Sequence, residues 1–246
     1  MIRAAAAAVA ILALTNTETI AGVCPLESTW RVSIADLPGL ADIGGKGGLV
    51  RFIEQVAEFA DVDVVYDVVP FARSMINVET GRADMHIPLL HDSDTPFVNA
   101  KLMYSDAVLF YVPFQFYVAA GSALTLAQLT DGTRTIETDS AHIDFFPFSV
   151  DGSSCIECSL NKVRLGRIDA FIYAEPPSDE AIVLAGLEGA FERHLYENYP
   201  VRAVLPRNAC GRSINQKLLP AVVKARKQSG HPLFRLSKGS ADSDAR

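Results

Sequence analysis

Long apolar runs are scarce in this chain. The longest, Ala4 to Leu14, has 11 residues, well short of the roughly 20 that a bilayer-spanning helix needs. Positive charge is also in deficit, with 22 Lys and Arg against 29 Asp and Glu and a formal net charge of −7. That balance offers no electrostatic pull toward nucleic acid or an anionic membrane surface. Three catalytic signatures are missing as well: a nucleophile elbow, a metal-ligand spacing and a phosphate-cradling loop. Disorder is excluded from the other side, because 49% of the residues are hydrophobic and only 21% are charged. The chain of 246 residues suits one large domain or two lobes of about 100 residues each.

The N-terminus reads as an export address. Arg3 supplies a positive charge before the apolar run, and polar residues Thr15 to Thr19 follow it. Ala21 offers a small residue for cleavage, so residues 1–21 are expected to be a signal peptide. Export to an oxidising compartment makes disulfides the natural use of four cysteines, which allow three pairings. A local ring between Cys155 and Cys158 would leave Cys24 to meet Cys210. A redox role for this C-x-x-C pair is set aside, because no thioredoxin-like strand precedes it. A zinc site would need a second closely spaced pair.

Along the mature chain, Trp30 to Ala35 alternates apolar and polar residues as a strand does. After the glycines at 44–48, Leu49, Phe52, Ile53, Val56 and Phe59 fall on one helix face. Asp63 to Val69 is β-branched and ends at Pro70, so it reads as a strand; Ala72 to Thr80 reads as a helix and Ala83 to Leu89 as a third strand. This β-α-β-α-β order predicts a parallel sheet with helices on its faces. The scheme recurs after residue 133, with a strand over Thr133 to Glu137, a helix ending at Gly166 and a strand over Ile168 to Tyr173. Pro176 and Pro177 are expected to break that strand, with a helix over Asp179 to Leu187. Residues 142–154 are aromatic and polar without a period. Phe114 to Ala119 and Pro200 to Leu205 are extended and would join two lobes, and Ile214 to Lys227 would close the first. The expected first lobe is 25–112 plus 205–236, the second 113–204, and 237–246 a tail.

"TGRADMHI" at 80–87 and "LGRIDAFI" at 165–172 share Gly-Arg-x-Asp-x-x-Ile. In each, glycine can end a helix with φ > 0 and the chain then enters a buried strand, with Arg and Asp left near the solvent-exposed junction. The two copies mark equivalent positions in two similar lobes.

Four stretches carry a resemblance: "VVPFARSMINVETGRADMHI", "LMYSDAVLFYVPFQFYV", "LAQLTDGTRTIETDSA" and "NKVRLGRIDAFIYAE". In this order they resemble the type II periplasmic solute-binding proteins, specifically the extracellular family-3 group that serves ABC importers. The resemblance covers about residues 30 to 230. It implies two α/β lobes joined by two crossover strands, with a solute held in the cleft by hinge closure. It also implies a periplasmic, monomeric, non-enzymatic protein without cofactor or metal, handing its solute to a membrane permease or presenting its closed form to a sensor receptor. Amino-acid-binding members carry an arginine a few residues before the Tyr-Ser motif. Here that place falls near Val98, in "PFVNAKLMYS", and holds none, which argues against an ordinary α-amino acid as solute.

Ligands of open α/β sheets sit beyond the carboxyl ends of the strands, where helix N-termini point. Those positions give the candidate ligand residues. In the first lobe they are Asp36, Phe71, Arg73, His86, Ser105 and Asp106, and in the second Thr138, Ser140, Phe145, Tyr173 and Glu175. Arg73 could clamp a carboxylate or pair with a neighbouring acid. Ser140 could hold an anion or cap a helix, and Glu175 could face a cation. Phe71, Phe145 and Tyr173 could wall the cleft. A dehydratase-like enzyme on the same fold would draw acid–base groups from Glu175, Asp106, Asp139 and His86.

Overall fold

The computed structural model describes residues 28–37, 40–91, 96–230 and 232–234. The expected signal peptide, Cys24 and the expected tail lie outside them. Strand β1 (Thr29–Ala35) is followed by α1 (Gly48–Phe59), β2 (Asp63–Val69), α2 (Phe71–Glu79) and β3 (Met85–Leu90). The long β4 (Leu102–Ala119) leads into α3 (Leu126–Leu129), β5 (Ile136–Asp139), a 3-10 turn (Ser140–Phe145) and β6 (Asp151–Ser153). Then come α4 (Ile156–Arg164), β7 (Ala170–Ala174), α5 (Glu175–Leu184), β8 (Phe191–Pro206) and α6 (Ala209–Gln228).

One sheet carries all eight strands in the order β2-β1-β3-β8-β4-β7-β5-β6. It has two halves because β4 and β8 are long and pair along most of their length, from Leu102↔Pro206 to Ala119↔Phe191. In the first half, β3 runs antiparallel to the last residues of β8, through Leu90↔Val201. In the second, β7 runs antiparallel to the last third of β4, through Phe114↔Ala174. Each half thus has its own parallel strands, β1, β2 and β3 or β5, β6 and β7, beside an antiparallel strand borrowed from the other side. This is the expected pair of α/β lobes joined by two crossover strands.

The first core forms where sequence pattern predicted it. Leu49, Phe52, Ile53 and Val56 of α1 are buried against Trp30, Val32 and Ile34, and α6 adds Ile214, Leu218 and Val222. Helix α2 is different, for its buried residues are Ser74, Asn77 and Val78. Its polar pair needs partners inside: Asn77 Nδ2 donates to Ser33 Oγ at 3.0 Å, and Ser74 Oγ lies 2.8 Å from Ser33 O. In the second half the sheet is covered on both faces, with Phe114, Phe116, Ile136 and Ile172 on one and Tyr117, Phe171, Leu160 and Ile182 on the other.

Two sequence expectations need correction. Pro176 and Pro177 do not break the chain between strand and helix; they sit in the first turn of α5, where a missing N–H costs no helical hydrogen bond. Asp84 of the repeated motif is not at a solvent-exposed junction. Only 4% exposed, it takes Arg31 Nη2 at 2.6 Å and Arg31 Nε at 3.1 Å. The glycines of the motif do behave as expected, with φ of 73° at Gly81 and 66° at Gly166.

Candidate functional site

Strand direction places the site. Strand β4 runs antiparallel to β8 and β8 antiparallel to β3, so β4 runs with β3 and leaves the first lobe at the carboxyl edge of its sheet. It then enters the second lobe antiparallel to β7, with Phe114 opposite Ala174 at the carboxyl end of β7. The carboxyl edges of both lobes therefore face each other across the crossover. Phe110 is level with Val201, which pairs with Leu90 at the end of β3, and Phe114 is level with the end of β7. Four residues separate the two levels, about 13 Å of extended chain.

On the first-lobe edge stand Asp36, just after β1, and the first turn of α2 just after β2. Asp36 N–H donates to Val69 O at 2.8 Å, which ties the two strand ends together. Phe71 is 43% exposed, and Arg73 is exposed, its backbone N–H donating to Pro70 O at 2.9 Å while its side chain makes no hydrogen bond or ion pair among the described residues. That arrangement leaves the guanidinium available. His86 is placed otherwise than expected. It is fully buried, with Nδ1 2.6 Å from Ser74 Oγ and Nε2 3.2 Å from Pro88 O. Burial pushes the imidazole down to about 4, against the hydrogen bond to the Pro88 carbonyl, which works upward. Its ring packs edge-on to Phe71 at 5.0 Å. His86 supports the edge and does not line it.

Ser105 and Asp106 also serve the scaffold. Ser105, 2% exposed, donates from Oγ to Ala107 O and accepts from Ala203 N–H, filling an irregularity in the β4–β8 ladder. Asp106 is exposed but joined to α6, accepting from Asn215 Nδ2 at 2.6 Å and donating its N–H to Asn215 Oδ1 at 2.8 Å.

The second-lobe edge gathers more of the candidates. Thr138 is an exception: fully buried, it donates from Oγ1 to Ile172 O at 2.7 Å and ties β5 to β7. Ser140 is exposed and opens the 3-10 turn, not a longer helix. Gly152 of β6 lies hard beneath it, since a Cβ there would come 2.9 Å from Ser140 Oγ and 2.8 Å from Ile143 Cδ1. Tyr173 and Phe145 are half-buried. Burial first, and then the charge of Asp139, push the Tyr173 hydroxyl up to about 12, so it stays a protonated donor. Glu175 opens α5 and accepts from Gln115 Nε2 at 2.7 Å.

Two residues of this edge, His142 and Tyr199, were not among the sequence candidates. The His142 ring lies 5.0 Å from Phe145, 5.3 Å from Tyr173 and 5.7 Å from Phe114, and its Nδ1 is 3.3 Å from Asp139 Oδ1. Tyr199 of β8 closes the cluster, 4.9 Å from Phe114 and 5.7 Å from Phe145. Such ring spacings match the offset and edge-to-face packing that aromatic quadrupoles favour. For His142 the signal in the sequence was the aromatic density of "HIDFFPF" at 142–148, a stretch that does not include Tyr199. Two cavities lie elsewhere, one of about 150 Å³ beside the Asp179–Arg193 ion pair and one of about 460 Å³ beside Phe146 and Phe148; neither includes a candidate residue.

The C-x-x-C pair forms a disulfide between Cys155 and Cys158. Cys210 is disulfide-bonded too. Among the described residues, no helix is long and apolar enough to cross a membrane.

No family model and no curated protein matches the chain by sequence. By structure, it is similar to the L-cystine solute receptor of Neisseria gonorrhoeae in its unliganded open conformation. That likeness has a TM-score of 0.59 at 16% identity and covers 85% of this chain and 93% of the receptor. A histidine kinase sensor domain with similarity to periplasmic binding proteins gives a TM-score of 0.59 at 14% identity, covering 81% of this chain and 90% of that one. The GluR0 ligand-binding core from Nostoc punctiforme, in complex with L-glutamate, gives 0.54 at 14% identity, covering 82% and 100%. With its paired lobes, borrowed strands and facing carboxyl edges, the chain has the fold of the type II periplasmic solute-binding proteins.

Proposed function

We propose that this protein is a non-enzymatic solute-binding protein of the periplasm, exported by a signal peptide at residues 1–21. It captures a small polar organic solute between its lobes and delivers it to an ABC importer. What supports this reading is the convergence of both carboxyl edges on the crossover, with Asp36, Phe71 and Arg73 as the proposed ligand residues of one edge and Ser140, Phe145, Tyr173 and Glu175 as those of the other. Arg73 offers a planar cation to an acidic group, Glu175 and Asp139 offer carboxylates to a donor, and the aromatic cluster covers apolar surface. A solute that touches both edges binds the closed form better, and closure follows from that difference in affinity.

The test is a thermal-shift screen of the mature protein against organic acids, amines and amino acids. Binding to the native state alone raises the melting temperature in proportion to the logarithm of ligand excess. A panel that moves nothing contradicts the proposal. The same closure could instead be read by a signalling receptor, and the likeness to a histidine kinase sensor domain favours keeping that reading. Neighbouring permease and ATPase genes, or a neighbouring kinase gene, separate the two.

A further inference from the structure

The Cys155–Cys158 pair lies at a strand-to-helix junction. Strand β6 ends at Ser153, Cys155 is the N-cap of α4, and Cys158 falls in its first turn. A helix N-terminus is one of the settings that lower a cysteine pKa, and the sequence alone did not show the pair there. Cys158 is exposed and Cys155 half-buried, so the bond is open to a thiol from solvent. Cys155 Sγ accepts the Cys158 N–H at 3.2 Å, so a thiolate formed there would meet both a donor and the positive end of the helix. The junction has its own support as well: Cys155 N–H donates to Ser153 Oγ at 3.3 Å, and one residue past Cys158 the buried Ser159 donates to Glu137 Oε2 at 2.7 Å. As a staple, moreover, the bond does little, because a ring spanning three residues removes the least entropy from the unfolded chain.

We propose that Cys155–Cys158 is an exchangeable disulfide that accepts electrons from a dithiol partner, with Cys158 as the sulfur attacked. A partner thiolate bonds to Cys158 Sγ, and the S–S electron pair leaves on Cys155 Sγ as a thiolate held by the helix N-terminus. The partner's second thiol then attacks the mixed disulfide and releases Cys158. Two electrons and two protons pass to the cysteine pair, and the dithiol becomes a disulfide. The stabilised leaving thiolate is what distinguishes this bond from a surface staple, since a leaving thiol of lower pKa departs faster.

The experiment exposes the native, fully oxidised chain to reduced dithiothreitol, quenches with iodoacetamide and locates the alkylated cysteines by mass spectrometry. The Cys155–Cys158 bond should open at least about tenfold faster than the disulfide of Cys210. Alkylation of Cys155 in the reduced protein should have a pH midpoint below the free-thiol value of about 8.5. With reduced glutathione in place of dithiothreitol, the trapped adduct should sit on Cys158. The proposal is overturned by reduction that requires denaturant, by a Cys155 midpoint at or above the free-thiol value, or by an adduct on Cys155.

Discussion

Asp84 and Asp169 do the same work in the two lobes. Asp84 accepts the Arg31 backbone N–H at 2.8 Å and returns its own N–H to Arg31 O at 2.7 Å. Asp169 accepts the Thr135 N–H at 2.8 Å and returns its own to Thr135 O at 2.8 Å. The repeated Gly-Arg-x-Asp-x-x-Ile is thus a latch that ties the entry of one strand to the start of its neighbour.

The latches differ in depth, and their loss should differ accordingly. Asp84 is buried and also holds the Arg31 guanidinium, whereas Asp169 is 36% exposed. Asp84→Ala should lose about 3 kcal/mol of stability and Asp169→Ala about 1 kcal/mol, because the first removes a buried carboxylate that takes three part-buried donors of Arg31 and the second removes one that takes an exposed donor of Thr135. Urea midpoints measure both. Equal losses contradict the assignment.

Stability should fall with acid through His86. Its ordinary value is 6.5 and burial lowers it to about 4 in the fold. Between these values the unfolded chain binds the proton and the native chain does not. The contribution is therefore complete above pH 6.5 and is lost as pH falls toward 4, about 3 kcal/mol in all. Denaturant midpoints across pH 7 to 4 test this against His86→Gln, which should be less stable at neutral pH and lack that part of the slope.

Two glycines separate steric contact from backbone strain. At Gly211 a Cβ would overlap the Pro206 carbonyl oxygen, while at Gly81 it would meet nothing within 4 Å but the backbone has φ of 73°. Gly81→Ala should cost about 1 kcal/mol from the left-handed conformation alone. Gly211→Ala should cost about 3 kcal/mol, since the start of α6 must shift to relieve the overlap. Thermal unfolding of the two variants tests the order.

Binding and stability should part company at Arg73 and Thr138. Arg73 is exposed and its side chain has no partner among the described residues, so Arg73→Ala should change stability by less than about 0.5 kcal/mol. It should weaken the solute found by thermal shift roughly tenfold or more, because a charge-assisted contact is lost. Thr138→Val should do the reverse, costing about 1 kcal/mol through the lost bond to Ile172 O while affinity holds. Calorimetric titration with urea unfolding reads both.

What the sequence made legible was set by local physics. The apolar stripe of α1, the β-branched β2 and the positive-φ glycines each follow from residue type and spacing, and the structure has them. Misreadings arose where partners distant in sequence decide the outcome. His86 and Thr138 alternate as polar strand residues do, but both are sealed in, the first by the polar underside of α2 and the second by β7. Pro176 and Pro177 mark a helix start as readily as a break, and only the position of Glu175 decides. Residues 140–153 fold as a short 3-10 turn and a three-residue strand, too brief to show a period. His142 and Tyr199, 57 positions apart, meet the same rings only because β8 returns along β4.

Small-angle X-ray scattering asks the central question most simply. Saturated with the solute that most raises its melting temperature, the protein should show a smaller radius of gyration, as two lobes shut over a guest. A radius that stays constant at saturation would mean that the facing edges do not close, and that the solute is held in some other way.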